Sequence, residues 1–107
     1  MLQWIVKMIK HFEQLWEDAE KINAEINDGT PVTALVEELI QKLGVYRILD
    51  QNDKVPADEK IKLKSHLFGK ILVLLTNLSL KDNINVYASL NNSIEDLKID
   101  LFESKYQ

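Results

Sequence analysis

Apolar residues recur every three or four positions through four segments of this chain, and three sets of breaker residues separate the segments. That period belongs to helices. No segment sustains the alternation of a half-buried strand, and only 3 Gly and 2 Pro occur, too few for a turn-dense sandwich or barrel. With 107 residues the chain has the length of one domain, and 46% hydrophobic against 28% charged residues is enough apolar content to build a core. The expectation is a single all-α domain over residues 1–107, a four-helix antiparallel bundle with short connections.

The first helix is predicted over Leu2 to Ile26, or about residues 2–27. Ile5, Ile9, Phe12 and Trp16 form one stripe, and Trp4, Met8, Leu15, Ala19, Ile22 and Ile26 a second beside it. Leu2 and Val6 widen the arc to about 200°, against about 100° for an ordinary surface helix. Such an arc suits burial on two sides, one of them against a second protomer. Asp28-Gly29 is the stop signal, because glycine tolerates the left-handed conformation at a helix end.

Thr30-Pro31 opens the second helix, over residues 31–50. Thr is placed to accept from free N–H groups, and Pro loses no hydrogen bond at the first helical position. Its apolar face is expected to hold Val32, Leu35, Val36, Leu39, Leu43 and Tyr46. A polar stretch with Pro56 follows. The third helix, residues 58–79, carries Ile61, Leu67, Phe68, Ile71, Leu72, Leu74, Leu75 and Leu78 and is expected to be central. After Lys81-Asp82-Asn83, the fourth helix spans residues 85–103, with Val86, Leu90, Ile94, Leu97 and Leu101 predicted to face inward.

Composition excludes several functions. The absence of Cys removes disulfides, thiolate zinc sites and cysteine nucleophiles, and 2 His cannot complete a three-histidine zinc site. A net charge of −4 and a pI near 5.1 are a poor footprint for binding nucleic acid, and the single Arg leaves little capacity for bidentate contacts. Lys7 and Lys10 interrupt the apolar N-terminus, so it does not read as a signal peptide. No apolar block approaches the roughly 20 residues of a membrane span. The four acids of the first helix, Glu13, Glu17, Asp18 and Glu20, also oppose an anionic bilayer surface. These features point to a cytoplasmic protein that binds neither nucleic acid nor membrane.

Charge is unevenly placed. Residues 54–70 hold Lys54, Lys60, Lys62, Lys64 and Lys70 against Asp58 and Glu59, five minus two, or +3. Residues 82–107 hold Asp82, Glu95, Asp96, Asp100 and Glu103 against Lys98 and Lys105, two minus five, or −3. The plain reading is two solvated faces. The sharper one is complementary ends that orient a dimer, or a lysine-rich stretch that attracts an anionic ligand.

No glycine-rich phosphate loop, nucleophile elbow or H-E-x-x-H motif occurs. What remains is polar residues at helical spacing. Glu37, Glu38 and Gln41 cluster on the second helix, where oxygen donors can hold Mg²⁺ or simply face water. His66, Lys70 and Asn77 share a stripe on the third helix opposite its large apolar face. Gly69 beside them costs about 1 kcal/mol relative to Ala inside a helix, so close approach of a neighbouring helix or a ligand is expected there. Asn23 falls on the apolar side of the first helix, where it either fixes helix register or meets a ligand.

The order of these features resembles the MazG-like group of all-α nucleoside triphosphate pyrophosphohydrolases. The resemblance runs from about residue 10 to 105. It rests on Glu37-Glu38-Leu39-Ile40-Gln41, on GKILVLLTNLS at residues 69–79 and on INVYASL at residues 84–90. It implies homodimers or tetramers, a nucleotide or other anionic ligand, and Mg²⁺ held by an EExxE motif and an ExxD motif. Glu37 and Glu38 match the first two acids. Gln41 stands at the third, and Leu67 and Lys70 stand where the second motif carries its acids. The resemblance therefore implies a degenerate metal site. Glu37, Glu38, Gln41, His66, Lys70 and Asn77 become candidate ligand-binding residues, and Glu37 and Glu38 what is left for a metal. A non-catalytic nucleotide- or anion-binding homo-oligomer is the preferred expectation. The alternatives are an active Mg²⁺-dependent pyrophosphohydrolase with a displaced ligand set drawing on Glu17 or Glu20, and a helical interaction module with no ligand site.

Overall fold

The computed structural model describes the backbone of residues 2–26 and 29–106, and the side chains of residues 3, 11–25 and 29–105. Four helices make up the fold: α1 (Leu2–Ile26), α2 (Val32–Gln51), α3 (Ala57–Lys81) and α4 (Val86–Tyr106). No strand occurs among the described residues. Each helix lies within a few residues of its predicted span. Most of the apolar stripe at the start of α1 (Leu2, Trp4, Ile5, Val6, Met8, Ile9) lies outside the described side chains, as do Ile26 and Asp28.

The breaks work as local chemistry requires. Gly29 takes a left-handed φ of 86° before α2. Pro31 rather than Thr30 is the N-cap, its carbonyl accepting from the amides of Ala34 and Leu35 at 3.1 and 3.2 Å. The α3 terminus is a Schellman motif. Asn83 sits at φ 54°, its amide donates to Leu80 O at 3.3 Å, and Ile84 N donates to Ser79 O at 2.9 Å. Asn85 then caps α4, its Oδ1 accepting from Ala88 N at 3.0 Å.

α3 is the central element, packed by α1 and by α2, of which α2 runs antiparallel to it. Trp16 and Leu35 are the buried apolar side chains among the described residues, and Leu67, Ile71, Leu72, Leu74, Leu75 and Leu78 are half-buried along α3. The polar residues buried with them are satisfied locally. Thr76 donates to Val73 O and Ser79 to Thr76 O, both at 2.7 Å. Asn23 fixes register, its Nδ2 donating to Thr76 Oγ1 at 2.5 Å across the α1–α3 seam.

Several predicted inward faces are not buried. On α2, Leu35, Leu39 and Tyr46 turn toward α3 with Lys42 among them, while Val36 and Leu43 are exposed. Ile61 and Phe68 of α3 are exposed, because α1 crosses only the C-terminal half of that helix. Leu90, Ile94, Leu97 and Leu101 of α4 are exposed too, and of the predicted stripe only Val86 is half-buried. The radius of gyration is 17.2 Å, against about 13 Å for a compact domain of this length. The described fold is therefore open rather than closed around one core.

Candidate functional site

Between α2 and α3 lies a shallow, broadly open cleft of about 590 Å³. Their antiparallel packing sets residues 38–42 opposite residues 66–74. Glu38 and Lys42 contribute from α2, and Ser65, His66, Gly69 and Lys70 from α3, over an apolar floor of Val73 and Leu74. Helical spacing explains the grouping, since Glu38 and Lys42 are one turn apart, as are His66 and Lys70.

The carboxylate of Glu38 already has a partner, Lys42 Nζ at 3.6 Å. Lys70 forms no ion pair within the described residues. Two ammonium groups and one carboxylate give the cleft a formal charge of +1, with His66 and Ser65 adding neutral hydrogen-bonding groups.

Further along the α2–α3 seam, lysines serve the fold. Lys64 Nζ lies 2.6 Å from Asp50 Oδ1 and 5.2 Å from the centre of the Tyr46 ring, and Lys60 donates to Asp50 O at 3.2 Å. The Lys64 hydrogen bond, then its charge, holds the Asp50 carboxyl below the usual range; slight burial works the other way, and the charge of Lys60 adds a smaller lowering.

The six sequence candidates divide among three places. Glu38, His66 and Lys70 meet in the cleft. Glu37 and Gln41 are exposed on the outer side of α2 and do not line it. Asn77 continues the stripe of His66 and Lys70, but seven residues beyond Lys70, or about 10 Å along the helix. Its Oδ1 is buried without a hydrogen-bond partner among the described residues. Lys42 and Ser65 were missed. The i, i+4 spacing of Lys42 from Glu38 was the available signal.

This donor set does not suit Mg²⁺. The ion needs several oxygen ligands in near-octahedral geometry. Here one carboxylate enters the cleft, already neutralised, with two ammonium groups beside it. Among the described residues no group of three or more His, Asp or Glu is placed to hold a metal. Glu20 lines a separate groove with residues 83–87, away from Glu38.

Among the described residues a Cβ at Gly69 would meet nothing within 4 Å. No helix among the described residues is long and apolar enough to cross a membrane. Compared with protein-family models, curated proteins and solved structures, the chain matches none of them.

Proposed function

We propose that this protein is a non-catalytic, homo-oligomeric binder of a phosphate-bearing small molecule of nucleotide size, held between α2 and α3 without a metal. The observation that carries the reading is the charge balance of the cleft. Lys42 and Lys70 outnumber Glu38, and Glu38 is engaged by Lys42. Lys70 is left to pair with a phosphate oxygen, a charge-assisted contact of the stronger kind. His66 and Ser65 supply donors beside it, and Val73 and Leu74 an apolar floor for a base or sugar. The volume of about 590 Å³ lies within the range of small-molecule sites.

This reading keeps the nucleotide-sized ligand that the MazG-like resemblance implies and gives up the metal-dependent hydrolysis. Phosphoanhydride cleavage of that kind needs an ion to orient phosphate and activate water. Lys70 opposes such an ion at this position.

Two-dimensional NMR on the labelled protein tests the reading, with ATP, dUTP and pyrophosphate added in the presence of EDTA. Amide shifts confined to residues 38–42 and 65–74 are expected. Shifts scattered over the surface, or none at millimolar ligand, contradict it.

The extent of exposed apolar surface favours a second reading, a helical interaction module with no ligand. Phe12, Leu15, Ile40, Ile48, Leu97 and Leu101 are each about half exposed or more. The same titration separates the two, because the module predicts no response to any phosphate compound.

A further inference from the structure

We infer that α4 of one copy of this chain docks along the open N-terminal half of α3 in a second copy, across Ile61, Ser65, Phe68 and Gly69. The inference rests on the homo-oligomer part of the proposal above and names the two faces that meet.

The donor face is α4. Leu90, Ile94, Leu97 and Leu101 follow one another at spacings of four, three and four, so they lie on one stripe. All four are between 41 and 65% exposed. A stripe of that regularity belongs in a helix–helix seam, and among the described residues it stays exposed.

The acceptor face is the part of α3 that α1 does not reach. Ile61 is 62% and Phe68 55% exposed, and with Tyr46 and Ser65 they edge a shallow groove. Gly69 lies at the border between this groove and the ligand cleft, which it also lines. Among the described residues nothing would touch a Cβ there, yet glycine weakens a helix interior. A helix approaching closely from outside accounts for it.

Charge selects the partner. Lys62 falls beside Gly69 on the helical wheel and forms no ion pair among the described residues. Asp100 lies about 90° around the helix from the α4 stripe and Asp96 one turn before it on the same side; neither forms an ion pair among the described residues, whereas Glu95 meets Lys98 at 3.3 Å. Of the lysine-rich stretch, Lys60 and Lys64 already meet Asp50 and Lys70 lines the cleft, so Lys54 and Lys62 are the cations left on this part of the chain to face the acidic C-terminal stretch at −3. A two-fold axis therefore satisfies both at once, each copy giving α4 and receiving its partner's. The accessible surface is 8860 Å². A folded monomer of this mass exposes about 6100 Å², so the surplus exceeds the roughly 800 Å² that each partner of a specific interface buries.

Light scattering after size exclusion, on the full chain, is the first measurement. A mass of at least twice 12.4 kDa at micromolar concentration is expected. Reversing charge in α4 with Asp96→Lys and Asp100→Lys should weaken the assembly about tenfold or more, and adding Lys62→Glu should restore it. Gly69→Leu should dissociate it while circular dichroism keeps the helical signal. Zero-length cross-linking of mixed isotope-labelled and unlabelled wild-type chains should join residue 62 of one copy to residue 96 or 100 of another, which decides the matter even if a variant fails to fold. A monomeric wild type overturns the oligomer and the docking together. An oligomer that ignores charge reversal and yields no such mixed cross-link overturns the docking alone.

Discussion

Asn23 on α1 donates to the hydroxyl of Thr76 on α3 at 2.5 Å, and that hydroxyl donates onward to Val73 O at 2.7 Å. Thr76 is 1% exposed, so the link lies at the centre of the α1–α3 seam. Asn23→Asp keeps the shape but loses the donor and sets a carboxylate against an oxygen. It should destabilise the protein by about 1–3 kcal/mol. Thr76→Val keeps the volume and leaves the Asn23 amide only its longer contact to Val73 O at 3.4 Å, so a loss toward the lower end of that range is expected. Urea unfolding of both variants checks this, and an unchanged midpoint would mean that α1 is not held at this point.

Trp16 fills the same seam. Its ring is 8% exposed and packs near Phe12 with centroids 6.1 Å apart, yet its Nε1 has no hydrogen-bond partner among the described residues. The side chain therefore stabilises by volume rather than by its polar atom. Trp16→Ala should cost about 3–5 kcal/mol. Trp16→Phe, which removes the unpartnered N–H, should cost clearly less. Equal losses for the two, read by thermal melts, would show that the indole N–H has a partner.

Asp50 gives the fold a pH dependence of known sign. Lys64, by hydrogen bond and by charge, lowers its pKa from 3.8. A carboxyl lowered in the folded state adds stability above its unfolded pKa, and that contribution is lost as pH falls through the folded value. Wild type should melt above Asp50→Asn at pH 6, and the two should converge only below pH 3.8. A difference that does not shrink as pH falls below 3.8, or none at pH 6, would remove Asp50 from the account.

The element order could be read from the sequence because it depends on local chemistry. Gly29, Pro31, Pro56 and the Asp82-Asn83 break act through backbone conformation, and all fall at helix ends. Asn23 was legible as a register residue because a polar side chain on an apolar stripe needs a partner. The rotation of α2 was not legible. Lys42 turns toward α3 because its stem packs while its amine reaches Glu38, so a charged residue occupies a place that hydropathy gives to Leu43. Nor could periodicity say whether the α4 stripe meets its own chain or another. Within the candidate site, helical spacing grouped His66 with Lys70. It could not tell that Glu38 enters the cleft while Glu37, one residue away and about 100° around the helix, does not.

Calorimetric titration of ATP into wild type and Lys70→Glu, both in EDTA, tests the metal-free anion cleft most directly. Wild type should bind with a Kd tighter than millimolar, and Lys70→Glu should bind at least tenfold more weakly, the effect of about 1.5–3 kcal/mol from one charge-assisted contact. Binding that appears only when Mg²⁺ is added, or that is indifferent to the charge at residue 70, would contradict the account.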